Sequence, residues 1–130
     1  MKKPKIIMTI LKEESGYSAY TKLKDRFIST QGENFDNLKV LIPDAINLAF
    51  EDKAYIYTID EIEFRYDLES FFDFYKVINA KALSKRTGMN QSLLAQYIRG
   101  IKKPSTAQSK RILEGVQQIG RELCEVRFLL

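Results

Sequence analysis

The fold of the second half of the chain is decided by residues 82–105, which read ALSKRTGMNQSLLAQYIRGIKKPS. Gly88 follows a short apolar and basic stretch, and glycine at such a position supplies the left-handed backbone conformation that ends many helices. Asn90 is a preferred N-cap for a second helix, which Gly100 ends. The spacing therefore predicts two short helices joined by a tight turn.

A third helix is expected to pack against these two. Pro104-Ser105 begins it, and it should continue to about Leu123. Apolar side chains recur along all three helices at the spacing of a buried face. The residues that we expect in this core are Leu83, Met89, Leu94, Tyr97 or Ile98, Ile112, Val116 and Ile119.

Basic residues are concentrated in the same part of the chain. The 130 residues include 21 Lys or Arg and 17 Asp or Glu, for a formal charge of +4. Residues 1–75 hold 10 basic and 14 acidic side chains, and residues 76–130 hold 11 and 3, so the two parts carry −4 and +8. The stretch from Lys76 to Leu113 has nine basic residues and no acidic one. This asymmetry predicts two modules, one of them for a polyanion such as nucleic acid, although a solvated basic face is the simpler alternative.

The composition argues against several kinds of chemistry. The chain has no His and a single Cys, Cys124. Ser-His and Cys-His nucleophile pairs and His-ligated zinc are therefore excluded, and no internal disulfide can form. We expect no enzyme activity, no metal, no cofactor and a reducing, cytoplasmic setting. We also expect Cys124 to be buried and structural. The apolar stretches are too short to span a membrane.

The pattern Leu-Ser-Lys-Arg-x-Gly-x-Asn-Gln-Ser at residues 83–92, followed by Ala-Gln and by Gly-x-Lys-Lys-Pro-Ser, closely resembles the Cro/repressor (XRE-type) helix-turn-helix. The resemblance covers about residues 77–123 and implies that the second helix enters the major groove of DNA. Glutamine at its start can pair bidentately with adenine, whereas ordinary helix-start polarity is the alternative interpretation. The candidate base-reading residues are Gln91, Ser92 and Gln96, and the candidate phosphate contacts are Lys81, Lys85, Asn90, Arg99, Lys102 and Lys103.

The first half of the chain alternates between strand and turn signals. Three strands are predicted, then a helix capped by Asn34, then a fourth strand. Pro43 lies inside the helix and is expected to bend or split it, at a cost of about 3 kcal/mol unless packing compensates. The order β-β-β-α-β describes an α+β fold, a small antiparallel sheet with one covering helix. The expected strands are residues 6–11, 17–23, 26–30 and 54–59, and the expected helix is about residues 35–51.

This order resembles the HicB antitoxin family over about residues 5–59. The residues that carry the resemblance are Gly16-Tyr17-Ser18-Ala19-Tyr20, Thr30-Gln31-Gly32 and Ala45-Ile46. Between the second and third strands the family commonly has a Pro-Asp-Leu-Pro-Gly-Cys-like run, whereas this chain has Lys24-Asp25-Arg26-Phe27-Ile28-Ser29. The resemblance implies a truncated RNase H-like sheet that neutralises a toxin, and it does not identify the toxin-contact residues.

Together the two resemblances imply an antitoxin of a type II toxin–antitoxin system. Residues 1–69 would form the HicB-like toxin-neutralising or oligomerisation domain, and residues 70–130 the helix-turn-helix DNA-binding domain. The implied partners are operator double-stranded DNA and a HicA-type toxin, a small basic protein that cleaves mRNA. The chain would repress its own operon. A homodimer or higher homo-oligomer is expected, because paired modules read two half-sites. The apolar side chains within residues 123–130 could form the interface between copies or complete the monomer core.

Two other functions are weighed against the antitoxin. The first is a phage-like transcriptional repressor whose N-terminal module only oligomerises or senses a ligand. The second is a Mg²⁺-dependent nuclease that would use Asp60, Glu61 and Glu63. Alternation from Glu61 to Phe64 would send side chains to both faces of a strand, so a solvated sheet edge is the expected interpretation. An adjacent reading frame for a short basic protein would favour the antitoxin.

Overall fold

The structure, a computed structural model, describes residues 3–130 and divides into two compact units. The division lies between Phe74 and Tyr75, five residues after the expected boundary at 69/70. The mixed α+β class predicted from the sequence is confirmed, with four strands in one sheet and five α-helices among the described residues. No helix within residues 3–130 is long and apolar enough to cross a bilayer.

The elements follow the predicted order, with one additional helix at the end of the first unit. Two single 3₁₀ turns, Glu51–Lys53 and Ile59–Glu61, precede the last strand. The strands are β1 Ile6–Lys12, β2 Tyr17–Lys22, β3 Phe27–Gly32 and β4 Ile62–Tyr66, and the helices are α1 Phe35–Ala49, α2 Leu68–Phe74, α3 Ala80–Thr87, α4 Gln91–Ile98 and α5 Thr106–Glu125.

The sheet is mixed, which corrects the prediction of an antiparallel one. Its strand order is β3-β2-β1-β4. The pairs β1–β2 and β2–β3 are antiparallel, but β4 runs parallel to β1, with Ile6 opposite Ile62 and Ile10 opposite Tyr66. A parallel neighbour requires a crossover connection, and α1 lies in that crossover.

The fourth strand was predicted too early, at residues 54–59. The side-chain amide of Asn47 in α1 pairs with Tyr57, accepting from its N–H at 2.7 Å and donating to its carbonyl at 3.1 Å. These bonds satisfy the backbone N–H and carbonyl of Tyr57 with a side chain of α1. The Tyr57 backbone therefore does not require hydrogen bonds to a neighbouring strand. Thr58 and Glu61 then form a capping box around the second 3₁₀ turn, and β4 begins only at Ile62.

Helix α1 covers one face of the sheet. Asn34 caps it by accepting from the Asn37 N–H at 2.8 Å, as predicted. Pro43 lies within a single helix, which is not split. Burial of the apolar face compensates for the hydrogen bond that proline removes. The fully buried residues of this core are Ile6, Met8, Ile10, Ala19, Leu38, Ile42 and Ile46.

Helix α2, for which the sequence analysis predicted no element, belongs to the first unit. The Lys12 N–H at the end of β1 donates to the buried Ser70 hydroxyl at 2.7 Å. Asp67 accepts from the Ser70 N–H at 2.9 Å, and Asp73 accepts from the hydroxyl of Tyr17. The Lys12–Ser70 and Tyr17–Asp73 bonds fasten α2 to the sheet, and they explain why the unit continues to Phe74.

The second unit consists of α3, α4 and α5. Gly88 has the predicted left-handed conformation, with φ +69°, and its N–H bonds to the end of α3. The predicted core is confirmed for Leu83, Met89, Leu94, Tyr97 and Ile112, which are buried. Ile98, Val116 and Ile119 are only half-buried.

Replacing Gly16 by Ala should destabilise the first unit by about 2 kcal/mol or more, because a side chain is strained in the left-handed region. Gly16 has φ +78°, and an added Cβ would lie 2.4 Å from the Gly32 carbonyl oxygen. Urea unfolding followed by circular dichroism measures the loss.

The matched control is Gly120→Ala, where a Cβ meets no atom within 4 Å in the interior of α5. That variant should be up to about 1 kcal/mol more stable than the parent chain. Unchanged stability of Gly16→Ala would show that the turn relaxes around the new side chain.

Candidate nucleic-acid interface

The first turn of α4 presents polar groups to solvent. Asn90 uses its side-chain oxygen to cap the helix, accepting from the Leu93 N–H at 3.0 Å. Gln91 and Ser92 follow it and are both exposed. By their position their backbone N–H groups have no intrahelical acceptor, and they lie at the positive end of the helix dipole. This turn can donate hydrogen bonds to an anion or to base edges.

The loop after α4 is held by one backbone carbonyl. The carbonyl of Gln96 accepts from the N–H groups of Ile101 at 3.0 Å and Lys102 at 3.3 Å, and Gly100 makes this possible with φ +75°. The side chains of Lys102 and Lys103 are exposed. Two cations therefore project from a loop whose backbone is fixed, and this lowers the entropy lost on binding a phosphate.

Further cations lie on α3 and at the end of α4. Asn79 caps α3 through the Ala82 N–H at 3.0 Å, and Lys81 and Lys85 are exposed one turn apart on this helix. Arg99, the C-cap of α4, is exposed as well. None of the predicted phosphate-contacting Lys and Arg residues is in an ion pair within residues 3–130.

Two other arginines of the basic stretch are occupied within the unit. Arg86 forms a bidentate pair with Glu122 of α5, with N–O distances of 2.7 and 3.1 Å. Hydrogen bonding to the Arg86 guanidinium lowers the pKa of the Glu122 carboxyl below its ordinary value, so the stabilisation is lost as pH falls through that lowered pKa. Arg111 donates to the Thr87 carbonyl at 2.5 Å. These two residues join helices, whereas the cations predicted to contact phosphate do not.

Gln96 and Cys124 do not have the exposure that the sequence analysis expected. Gln96 is half-buried, so Gln91 and Ser92 are better placed than Gln96 to reach a ligand. Cys124 was expected to be buried and is exposed. Cys124 lies in the last turns of α5, within residues 121–130, which are all exposed.

Two of the three carboxylates considered for magnesium, Glu61 and Glu63, are paired with lysines. Glu61 bonds to Lys3 at 2.6 Å and to Thr58, and the bond to Lys3 lowers the pKa of Glu61 below its ordinary value. Glu63 pairs with Lys5 at 3.1 Å. No group of three or more His, Cys, Asp or Glu within residues 3–130 is arranged to hold a metal ion.

A second surface, absent from the sequence analysis, lies on α1. Asp36, Val40, Asp44 and Leu48 follow one another at intervals of four and are all exposed, with Val40 at 65% and Leu48 at 73%. Residues four apart share a helix face, so this α1 stripe alternates acidic and apolar side chains. The spacing was present in the sequence, but only the burial of Leu38, Ile42 and Ile46 identifies the opposite face as the outer one.

The chain matches no protein-family model, no curated protein and no solved structure.

Proposed function

We propose that the protein is an antitoxin of the HicB type, which represses its own operon by binding operator DNA and neutralises a HicA-type, mRNA-cleaving toxin. The observation that carries the proposal is the surface formed by the open first turn of α4 and by the surrounding cations, which form no ion pair with the described residues. This surface lies in a stretch of the chain that has nine basic residues and no acidic one.

The arrangement of α3 and α4 suits the major groove. A helix-turn-helix places the N-terminal residues of its second helix at base edges, and cations on flanking elements hold the phosphates. In this assignment Gln91 and Ser92 read bases, Lys81 and Lys85 of α3 contact one strand, and Lys102 and Lys103 contact the backbone beyond the end of α4. The half-buried Gln96 positions the loop through its carbonyl.

The toxin is assigned to the first unit on the basis of charge and of the α1 stripe. This unit holds 14 acidic and 10 basic residues, so it attracts a basic partner and speeds the encounter. The exposed Val40 and Leu48 supply apolar contact area, and the flanking Asp36 and Asp44 complement a cationic surface. Apolar anchors surrounded by charge are typical of a protein interface.

Self-association is assigned to the end of the chain. Leu123, Val126 and Phe128 are large apolar residues exposed to solvent, with Phe128 at 82%. An exposed apolar patch of this kind marks an interaction surface. Arg121 and Arg127 alternate with Glu125 along it, so two copies related by a two-fold axis can pair opposite charges.

The alternative remains a repressor whose first unit has no toxin partner. It shares the DNA-binding surface and differs in leaving the α1 stripe without a protein ligand. The two functions are therefore distinguished by experiments on the first unit, whereas experiments on α4 test the part that they have in common.

DNA binding is tested with a duplex selected by the full chain from a randomised library and an unrelated duplex of equal length. Gln91→Ala should lower the ratio of the two affinities by about 5- to 150-fold, the equivalent of roughly 1–3 kcal/mol for a bidentate base contact. The doubly substituted Lys102→Ser/Lys103→Ser chain should bind both duplexes more weakly, and its salt-dependence slope should fall by about 0.9 for each phosphate that these lysines neutralise.

Each of these two variants is the control for the other. Gln91→Ala should keep the salt slope of the parent chain, and Lys102→Ser/Lys103→Ser should keep its sequence preference. An unchanged preference in the first variant would remove Gln91 from base reading. An unchanged slope in the second would show that the loop lysines are only solvated.

Toxin neutralisation is tested by co-expression with the short basic protein of an adjacent reading frame, with growth rescue and pull-down as the readouts. Val40→Ser/Leu48→Ser should lose rescue and pull-down while binding the selected duplex normally, because it removes the apolar anchors of the α1 stripe. Ile56→Ser, at a position that is 73% exposed in the same unit, is the matched control and should rescue growth. Rescue by both variants would exclude the α1 stripe, and absence of any such reading frame would favour the repressor.

Self-association is measured by sedimentation equilibrium. Phe128→Ser/Leu129→Ser should shift a dimeric chain to monomer and abolish cooperative binding to two half-sites about 34 Å apart. Leu113→Ser, an exposed position nearer the start of α5, is the control and should stay dimeric. A dimer that survives the double substitution would place the interface elsewhere.

A further inference from the structure

The four-stranded sheet has a second face, opposite to α1, on which several large side chains are exposed, and we call it the open face. Alternation along the strands sends Ile6, Met8 and Ile10 of β1 into the core under α1, so the residues between them face the other way. The same alternation places every second residue of β2, β3 and β4 on this open face. The open face includes Lys5, Thr9, Tyr20, Lys22, Phe27, Glu63 and Arg65.

Two aromatic rings lie side by side on the open face. Tyr20 of β2 and Phe27 of β3 have ring centroids 6.0 Å apart and planes inclined by 25°. Tyr20 is 36% exposed and Phe27 is 62% exposed, so solvent reaches both rings. Cross-strand aromatic contact accounts for their proximity but leaves most of the Phe27 surface uncovered. Such a pair is a platform on which a flat ring can stack.

Cations border the aromatic pair. Lys22 lies directly opposite Phe27 in the β2–β3 register, and Arg65 of β4 lies opposite Thr9, which in turn lies opposite Tyr20. Neither Lys22 nor Arg65 is in an ion pair within residues 3–130, whereas Lys5 is paired with Glu63. Lys5, Thr9, Tyr20, Lys22 and Arg65 line a shallow depression of about 270 Å³, and no acidic residue of the described chain lines it.

The charge of the open face is opposite to that of the unit that carries it. The first unit as a whole is acidic, yet the depression is lined by three cations, of which Lys5 pairs with Glu63 of the same face and Lys22 and Arg65 form no ion pair with the described residues. A basic toxin would be repelled there, and a second copy placed face to face would bring cation against cation. The face therefore suits an anionic occupant that also offers flat apolar rings.

We propose that the open face of the sheet binds single-stranded RNA. Bases stack on Phe27 and Tyr20, and backbone phosphates contact Lys22 and Arg65. The bases of a duplex are already stacked on one another and cannot reach these rings, so the ligand is single-stranded. The Thr9 hydroxyl in the depression and the Ser29 hydroxyl opposite Tyr20 can donate to and accept from a ribose 2′-OH, which favours RNA over DNA. This activity is independent of the proposed binding of duplex DNA by α4.

The test uses the full chain and a fluorescein-labelled, ten-nucleotide RNA of mixed sequence, followed by fluorescence anisotropy. Excess unlabelled duplex DNA is present throughout, so that the basic surface of the helical unit is occupied. Phe27→Ala should weaken RNA binding about tenfold or more, since stacking on one aromatic ring contributes roughly 1–3 kcal/mol per base. Phe27→Tyr retains a ring and should bind like the parent chain.

The electrostatic part is tested with a second pair of variants. Lys22→Gln/Arg65→Gln should weaken RNA binding and lower the salt-dependence slope by about 0.7 for each phosphate of the single strand that the two cations neutralise. Lys53→Gln, an exposed cation elsewhere in the same unit, should change neither value, and Ile56→Ala is the apolar control for Phe27→Ala. Because the Gln variants keep both rings, they test the face even if Phe27→Ala does not fold.

Cross-linking of an RNA that contains 4-thiouridine locates the site directly. The expected cross-links lie in the peptides that contain Tyr20 and Phe27. Absence of RNA binding in the presence of the excess duplex, or cross-links confined to residues 80–103, would overturn the proposal. Equal affinity for a DNA strand of the same sequence would overturn the assignment of RNA.

Discussion

The parallel pairing of β4 with β1 is the constraint from which the shape of the first unit follows. Ile6 and Ile62 lie side by side, and the two strands can run in the same direction only if the chain crosses from one end of the sheet to the other. The crossover contains a single long helix, α1, which covers one face with Leu38, Ile42 and Ile46. One helix cannot cover two faces. The same pairing that buries the core therefore leaves the second face of the sheet uncovered by α1.

Local signals made the helical unit predictable. Gly88, Asn90 and Ser105 act within a few residues of their own positions, and the structure places α4 and α5 within two residues of the expected bounds. The fourth strand was not predictable in this way. Residues 54–59 have strand-like composition, but the deciding contact is the side chain of Asn47, ten residues earlier in a helix. The burial of Gln96 and Cys124 likewise depends on which helices pack against α4 and α5, and the local sequence pattern does not determine that packing.

Surface charge differs between elements of the same unit as well as between the two units. Within the basic stretch, Arg86 and Arg111 hold the helices together, whereas the neighbouring lysines of α3 and of the loop after α4 form no ion pair with the described residues. Within the acidic unit, the outer face of α1 is acidic and apolar, and the open face of the sheet is cationic and aromatic. The overall values of −4 and +8 thus describe the two units but not their surfaces.

The separation of the paired strands along the chain also bears on how the protein reaches its fold. Ile6 and Ile62 are 56 positions apart, and the strand pair that they begin must close this long loop before its contacts can stabilise it. The three helices of the second unit meet through neighbours in sequence, and contacts of that kind form fast. During synthesis β1 cannot pair with β4 until β4 has emerged from the ribosome. Until then Ile6, Met8 and Ile10 of β1 lack the strand that lies beside them in the folded unit. The first unit is thus the slow-folding half of the molecule, and its apolar strand is the segment most exposed to mispairing while translation continues.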